Sequence, residues 1–151
     1  MDIVDKQLLN LIQKNFPIHE KPFETLANQL EVSEAEVINR IDNLKEKGII
    51  RRIGGIFDSN KLGYFSTLCA MKVPQDRIEE VDRLINNYQE VTHNYLREHK
   101  YNIWFTLIGE TLEKVEEILK EIKKQIGEIE LINLPAVNLF KIDVYLNISG
   151  E

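Results

Sequence analysis

The stretch VTHNYLREHKYNIWFTLIG, residues 91–109, decides the fold of this chain because its pattern predicts two β-strands joined by a hairpin. In the second half, the apolar residues Ile103, Phe105 and Leu107 recur at every second position. Successive side chains of a strand point to opposite faces, so these three residues are expected to face helices packed on one side of a sheet. The turn is predicted around residues 98–100.

The other face of the same hairpin is predicted to be polar and aromatic. A register that pairs Tyr95 with Trp104 and Arg97 with Asn102 brings both polar sets to the helix-free side, whereas a shift of one residue separates them. The sequence leaves these two registers open. In the first register the face carries His93, Tyr95 and Arg97 on one strand and Asn102, Trp104 and Thr106 on the other.

The flanking segments extend the hairpin to the order βαββαβ, which is the ferredoxin-like arrangement with helices on one face of the sheet. A strand and an amphipathic helix are predicted before the hairpin, and a helix ending at Gly127 and a strand interrupted at Pro135 after it. The segments are YFSTLCAMKV, PQDRIEEVDRLINNY, TLEKVEEILKEIKKQIG and IELINLPAVNLFKI. The predicted second domain spans residues 64–151.

The first 63 residues predict a winged helix-turn-helix domain. Three helices are expected in DIVDKQLLNLIQKN, PFETLANQL and SEAEVINRIDNLKEKG, the last with a capping box of Ser33 and Glu36 and a stop at Gly48. The segment IIRRIGGIFDSNKLGY predicts a β-ribbon wing with its turn at residues 58–60. The predicted fold class is therefore α+β, with a winged helix-turn-helix domain at 1–63 followed by the ferredoxin-like domain.

The composition is that of a cytoplasmic globular protein. Of 151 residues, 43% are hydrophobic and 29% are charged, which excludes global disorder. The sequence contains no apolar run long enough to span a bilayer and no signal peptide, so we expect no membrane partner. The single cysteine, Cys69, allows no internal disulfide and is expected to be a buried apolar residue.

The charge of the helix-turn-helix disfavours the DNA binding that its pattern suggests. Residues 31–47 carry five acidic and three basic side chains, and the net charge of the chain is −6. Phosphate neutralisation by Lys and Arg supplies most nonspecific affinity for DNA, so this balance repels a duplex. Arg51 and Arg52 on the predicted wing remain able to contact phosphate. We expect a retained scaffold rather than a DNA reader.

The polar face of the hairpin fits a flat, apolar ligand that carries several carboxylates. Each residue alone has an ordinary structural role as a surface or interface side chain. Together, aromatic rings can cover the ligand face, a guanidinium can bind its carboxylates, and an imidazole can serve a metal or a proton. His99 in the turn and His19 in the loop FPIHEKP are expected to be solvated.

Five segments resemble the siroheme decarboxylase branch of the Lrp/AsnC-type regulators. The resemblance spans nearly the whole chain, and HNY at residues 93–95 is similar to one of the two homologous subunit types. The segments are LLNLIQKNFPI, IIRRIGGIFDSNKLGY, STLCAMKVP, VTHNYLREHKYNIWFTLIG and NLPAVNLFKI.

The resemblance implies a carboxy-lyase that acts on siroheme. It implies removal of the carboxyl groups of two acetate side chains, giving 12,18-didecarboxysiroheme in the alternative haem biosynthesis route. No cofactor is implied beyond the iron carried by the siroheme substrate. The implied partners are siroheme and related iron porphyrins, and either a homologous second subunit or a second copy of the chain. Two alternatives remain, an Lrp/AsnC-type transcription regulator and a noncatalytic haem-binding subunit.

The implied reaction assigns candidate roles to the polar face. His93 either ligates the substrate iron or donates a proton to the methylene carbon, because one ring nitrogen cannot do both, and Tyr95 is a second catalytic candidate. Arg97 is expected to bind a substrate carboxylate that is retained in the product. An ion pair with the carboxylate that leaves as CO₂ would stabilise the ground state and slow the reaction. Further substrate-binding candidates are Tyr101, Asn102, Trp104, Arg51 and Arg52.

Overall fold

The computed structural model describes residues 1–142 and 144–148 and divides into two compact units. The first unit contains residues 1–55 and the end of the chain from Lys141, and the second contains residues 56–140. No helix in the described residues is both long and apolar enough to cross a bilayer.

Three helices form the first unit, as predicted. They are α1 (Ile3–Lys14), α2 (Pro22–Leu30) and α3 (Glu34–Glu46). The helices bury one apolar stripe each, and Gly48 follows α3 with a positive φ of 68°. The core of the unit consists of Leu8, Leu9, Leu26, Ala27, Val37, Ile41, Leu44 and Ile50.

Half of the predicted capping box of α3 is present. The Ser33 hydroxyl accepts a hydrogen bond from the Glu36 backbone N–H at 3.2 Å. The Glu36 carboxylate does not complete the box in the way the sequence suggested, because its Oε1 accepts from Arg40 at 2.7 and 2.9 Å. A reciprocal capping box instead begins α1, between Asp2 and Asp5.

The predicted β-ribbon wing is wrong, because residues 49–64, all of which are described, contain no strand. The predicted turn at residues 58–60 does form. The Asp58 carboxylate accepts from the backbone N–H of Asn60 and Lys61, and the Leu62 N–H donates to the Asp58 carbonyl at 3.2 Å. These bonds make helix-like turns rather than a two-residue hairpin, so the chain does not fold back on itself as a ribbon.

The second unit is the predicted ferredoxin-like fold. Its antiparallel sheet has the strand order β2-β3-β1-β4, and its two helices cover one face. A 3₁₀ turn at Gln75–Arg77 precedes the first of these helices. The elements are β1 (Phe65–Lys72), α4 (Ile78–Asn86), β2 (Val91–Leu96), β3 (Ile103–Gly109), α5 (Leu112–Ile126) and β4 (Glu130–Pro135).

The core of the second unit lies between the sheet and the two helices. Phe105 and Leu107 of β3 are fully buried there, as their alternation predicted. Strand β3 ends where α5 packs closely against it, since a Cβ on Gly109 would lie 2.8 Å from Val115 Cγ2. The other core residues include Cys69, Met71, Val81, Ile85, Ile103, Ile118 and Ile122.

Two amide side chains of α1 bind the backbone of residues near the end of the described chain. The Asn10 side-chain amide donates to the Ile148 carbonyl and accepts from its N–H, both at 3.0 Å. Gln13 binds the backbone of Leu146 in the same way, at 3.0 and 2.9 Å. Leu146 and Ile148 therefore lie in the same compact unit as α1. The domain bounds 1–63 and 64–151 stay a prediction.

Arg40 of α3 joins two helices of the first unit through three carboxylates. Its guanidinium lies 2.7 Å from carboxylate oxygens of Asp2, Asp5 and Glu36. The Arg40 side chain is 21% exposed, so the cluster is shielded more than an ordinary surface pair. The pKa of Asp2 is lowered, first by the hydrogen bond from the Asp5 backbone and then by Arg40.

We expect replacement of Arg40 by Met to lower the melting temperature by roughly 3–6 °C at pH 7, because three carboxylates lose their shared cation. Thermal unfolding followed by circular dichroism measures the change. The matched control is Lys21→Met, which breaks a pair with Glu24 whose side chains are 72% and 48% exposed, and it is expected to leave the melting temperature unchanged.

The effect of Arg40→Met is expected to depend on pH. Because the folded-state pKa of Asp2 lies below its ordinary value of 3.8, the stabilisation is complete above that pH and is lost as the pH falls through the lowered pKa. The difference between wild type and variant should therefore shrink from pH 5 toward about pH 2. An equal difference at both ends of this range would contradict an ionic origin.

Candidate functional site

The hairpin adopts the register that brings both polar sets to the helix-free face. Tyr95 pairs with Trp104, and the Arg97 N–H donates to the Asn102 carbonyl at 2.7 Å. A register shift between Val91 and His93 leaves His93 opposite Thr106. His93, Tyr95 and Trp104 therefore lie on one side of the sheet while Phe105 lies on the other, as the favourable register predicted.

Six side chains form a continuous group at this face, which we call the aromatic row. The rings of His93 and Tyr95 stack with centroids 6.1 Å apart. The guanidinium carbon of Arg97 lies 5.9 Å from the Tyr95 ring centroid and 5.6 Å from that of Trp104, within cation–π range. The row consists of His93, Tyr95, Arg97, His99, Tyr101 and Trp104.

Small and apolar side chains continue the helix-free face beside the aromatic row. Ala70 lies opposite Trp104 on β1 and is fully buried. Leu68 of β1 and Leu134 of β4 lie opposite each other and are 42% and 43% exposed. The face therefore combines exposed apolar side chains with a row of rings and two cations, Arg97 and Lys100, whose Nζ lies 5.1 Å from the Tyr101 ring centroid. Such a surface is suited to a flat ligand with anionic substituents.

His99 is an exposed turn residue, as predicted, and its ring also belongs to the aromatic row. Its ring stacks on Tyr101 at 6.1 Å and lies 6.5 Å from the Trp104 ring. Its Nδ1 accepts a hydrogen bond from the Tyr101 backbone N–H at 3.2 Å. A neutral imidazole that accepts at Nδ1 carries its proton on Nε2, so His99 presents a donor. The signal available in the sequence was the spacing of two between His99 and Tyr101.

His93 has a different hydrogen-bonding environment. Its Nδ1 lies 3.0 Å from the Thr92 hydroxyl, which can either donate to that nitrogen or accept from it. When Nδ1–H donates to Thr92, Nε2 carries a free lone pair, which is the form that binds iron. The Nε2 lone pair of His93 can therefore bind iron. The neutral ring of His99 carries its proton on Nε2 and cannot bind iron through that nitrogen.

Tyr101 and Asn102 are engaged in bonds within the protein. The Tyr101 hydroxyl donates to Glu130 Oε1 at 2.6 Å, and this bond is the largest cause of the raised pKa of Tyr101. The Asn102 side chain accepts from the Val73 N–H at 2.9 Å and donates to the Val73 carbonyl at 2.8 Å. These two bonds join Asn102 to the end of β1, and its predicted substrate binding stays a prediction. Trp104 is likewise oriented by donating to the Tyr101 carbonyl at 2.7 Å.

The three candidate arginines lie in different environments. Within the described residues, no carboxylate lies within 4.0 Å of the Arg97 guanidinium. Its donors are available to a ligand. Arg51 and Arg52 are exposed and belong to the first unit, in a segment without helix or strand.

The described residues contain neither a reactive cysteine nor a cluster of metal-ligating side chains. Cys69 is fully buried, as predicted, and burial raises its pKa to about 12, so it is not a thiolate nucleophile at neutral pH. Among the residues that the structure describes, no group of three or more His, Cys, Asp or Glu side chains is placed to hold a metal ion.

Comparison with known proteins first defines the class. A family model described as an AsnC-like ligand binding domain matches residues 61–141, and one described as a siroheme decarboxylase NirDL-like HTH domain matches residues 5–51. The structure of E. coli AsnC covers 96% of this chain and 97% of its own with a TM-score of 0.79, and at 19% identity it shows the fold alone. The chain is an AsnC-like protein of two modules.

More similar proteins define the family within this class. The siroheme decarboxylase alpha subunit of Desulfovibrio desulfuricans is 49% identical over the whole chain and 87% of its own length. The crystal structure of the siroheme decarboxylase NirDL in co-complex with an iron-uroporphyrin III analogue is 35% identical, with a TM-score of 0.69. That match covers 94% of this chain and 47% of the NirDL chain. The chain belongs to the siroheme decarboxylase family, which confirms the predicted carboxy-lyase class.

We expect replacement of Asn102 by Ala to reduce the free energy of unfolding by roughly 2 kcal/mol, because the buried backbone of Val73 loses two hydrogen-bond partners. Urea denaturation measures this loss. The control is Asn28→Ala, at an exposed position of α2, with no expected change. Unchanged stability of Asn102→Ala would show that the amide is free for a ligand after all.

Proposed function

We propose that this siroheme decarboxylase subunit converts two acetate side chains of siroheme to methyl groups, giving 12,18-didecarboxysiroheme in the alternative haem biosynthesis route. In each conversion the bond between the methylene carbon and the carboxylate breaks, CO₂ leaves, and the carbon that keeps the electron pair gains one proton. The observation that carries the proposal is the aromatic row, with the Arg97 guanidinium between two of its rings, on the helix-free face of the sheet. The iron-porphyrin analogue in the NirDL structure supports the same class of ligand.

The aromatic row binds the macrocycle by its face in this proposal. Tyr95 and Trp104 supply ring surface, and Arg97 between them forms an ion pair with a carboxylate of the substrate. Arg97 holds a carboxylate that is retained, because a guanidinium on the departing group would stabilise the charged ground state more than the neutral CO₂ being formed.

His93 and His99 take two different roles in this proposal, iron ligand and proton donor, because one ring nitrogen cannot do both. His93, whose Nδ1 has the Thr92 hydroxyl as a partner, ligates the substrate iron through Nε2. His99 donates its Nε2 proton to the methylene carbon as an imidazolium, in which Nδ1 carries a proton in place of the hydrogen bond it accepts from the Tyr101 N–H, and the ring is left neutral after the transfer. Tyr95, stacked on His93, is the second proton-donor candidate. The proposal includes no cofactor beyond the iron carried by the substrate.

A second protein chain completes the site in this proposal. The aromatic row is open to solvent, with Tyr95 52% exposed, whereas electrostatic stabilisation of the developing carbanion is stronger where water is excluded. A homologous second subunit closes the face, and a homodimer is the alternative. The proposed location of the complex is the cytoplasm.

Separate replacement of the two histidines by Ala tests their roles. His93→Ala is expected to change the visible spectrum of a bound iron porphyrin and weaken its binding, because the axial ligand is lost. His99→Ala is expected to leave spectrum and affinity intact and to slow CO₂ release by roughly 10²–10⁴-fold, the usual range for a general acid. Anaerobic turnover of siroheme is followed by mass spectrometry, with and without the homologous subunit.

His19→Ala is the matched control. The His19 ring binds the Lys21 N–H and Thr25 in a loop of the first unit, so its loss is expected to change neither porphyrin binding nor the rate of CO₂ release. Exchange of the two outcomes, with a spectral change in His99→Ala alone, would reverse the assignment. Normal spectra, affinity and rates in both variants would exclude the aromatic row as the active site.

Sequence-specific DNA binding is not part of the proposed function. Arg40, which lies within the recognition helix, is neutralised by Asp2, Asp5 and Glu36. We expect no enriched motif when the protein is used in a selection from random duplexes, even at low salt where phosphate contacts are strongest. Enrichment of a palindrome would favour the regulator alternative.

A further inference from the structure

Tyr101 is the centre of the contacts that hold the turn end of the aromatic row. Its backbone N–H donates to His99 Nδ1 at 3.2 Å, and its backbone carbonyl accepts from Trp104 Nε1 at 2.7 Å. Its ring stacks on the His99 ring with centroids 6.1 Å apart. Two members of the row, His99 and Trp104, are therefore oriented by this one residue.

The Tyr101 side chain is in turn held from a different strand. Its hydroxyl donates to Glu130 Oε1 at 2.6 Å, and Glu130 is the first residue of β4. Strand β1 lies between β3 and β4 in the sheet, so this hydrogen bond reaches across β1. Residues an even number apart along a strand share a face, so Glu130 lies with Leu134 on the helix-free face that carries the aromatic row.

The Glu130 carboxylate binds the phenol although a cation is its neighbour in the sheet. Lys72 lies opposite Glu130 in the pairing of β1 with β4, an arrangement in which opposite charges commonly pair. Among the residues that the structure describes, no ion pair within 4.0 Å joins Lys72 to Glu130. Hydrogen bonds from a hydroxyl to an ionised carboxylate are short and strong, and the distance of 2.6 Å is typical of them.

The backbone and the ring of Tyr101 are held by different residues. Asn102, next along the chain, attaches the backbone to the end of β1 through its own N–H and its side chain. This attachment keeps in place the carbonyl that orients Trp104. The hydroxyl bond to Glu130 instead fixes the ring on which the His99 ring stacks. Loss of the Glu130 carboxylate is therefore expected to free the two stacked rings and to leave the backbone of the turn in place.

The stack on Tyr101 gains importance when His99 is protonated. In the imidazolium, Nδ1 carries a proton and no longer accepts from the Tyr101 N–H, so that hydrogen bond ceases to hold the ring. A cation over the face of a tyrosine ring is attracted by it, so the stack continues to hold the imidazolium. The orientation of the charged ring then depends on the orientation of Tyr101.

We propose that Glu130 is a positioning residue for the decarboxylation, which acts through the Tyr101 ring to hold the His99 imidazolium in the orientation that delivers its proton. This role rests on the proposed function, in which His99 is the proton donor and Glu130 does not itself touch the substrate. Proton transfer depends steeply on the placement of the donor, whereas the macrocycle is bound by other members of the row. Replacement of Glu130 should therefore lower kcat and leave KM unchanged.

Glu130→Ala tests this role in the full chain with its homologous subunit, by anaerobic turnover of siroheme. We expect kcat to fall roughly 3–10-fold with KM unchanged, a moderate effect because the hydrogen bond is exposed to solvent. Tyr101→Phe keeps the ring and removes the same bond, so it should lower kcat by a similar factor. The double variant Glu130→Ala/Tyr101→Phe should be no slower than either single variant, because all three lack one and the same interaction.

Two further variants separate positioning from charge and from general stability. Glu130→Gln keeps an acceptor oxygen for the phenol and is expected to restore most of kcat. Glu128→Ala removes the same charge at an exposed position just before β4, outside this hydrogen bond, and should turn over as wild type does. The melting temperatures of all four single variants should equal that of wild type, because the altered side chains lie at the surface.

Nuclear magnetic resonance of the substrate-free protein tests the orientation of His99 without turnover. The rings of Tyr101 and Trp104, with centroids 6.1 and 6.5 Å from that of His99, displace the His99 ring-proton resonances from those of a free histidine. The chain contains three histidines, so the spectrum of His99→Ala assigns the signal. The signal should move toward the free position in Glu130→Ala and stay in place in Glu130→Gln.

An unmoved His99 signal in Glu130→Ala, or a Glu130→Gln variant as slow as Glu130→Ala, would overturn the positioning role. If His99→Ala is slowed as expected, such a result refutes the role of Glu130 alone. Normal turnover of His99→Ala would instead contradict the proposed function, and the His99 signal would still decide whether Glu130 orients the ring.

Discussion

The pairing of Tyr95 with Trp104 is the constraint on which the second unit depends. Side chains alternate along a strand, so this one pairing places Phe105 and Leu107 against the helices and the aromatic row on the opposite face. Burial of each such apolar side chain contributes roughly 1.5–3 kcal/mol, and a slip of one residue would lose these contributions together. The geometry of the candidate site is therefore fixed by the packing of the core behind it.

Regular periodicity made most of the fold predictable. The stripes of the five helices and the alternation in β3 are local signals that tertiary packing reinforces, and all these elements were found. The wing was wrong because Ile56 and Phe57, which suggested a strand, have no paired strand and no core to face. The contacts of Leu146 and Ile148 could not be predicted, because their partners, Gln13 and Asn10, lie more than a hundred residues away in sequence.

Only those parts of the candidate site that depend on the alternation of side chains along a strand could be predicted from the sequence. The positions of His93, Tyr95 and Trp104 follow from it. The hydrogen bonds of Asn102 do not follow from it, because they depend on where β1 ends, and the position of the His99 ring depends on the conformation of a turn. The types of side chain on this face thus indicated the class of ligand. The hydrogen-bond partners of each side chain could be identified only in the structure.

Residues 136–142 directly follow the edge strand β4 and expose Val137, Phe140 and Ile142, which has a consequence for how the protein must be handled. An exposed apolar segment beside an edge strand resembles the unpaired edges through which chains aggregate. Because these side chains are uncovered in the isolated chain, its self-association is expected to rise steeply with concentration, so low concentration during expression and storage favours the separate, folded chain.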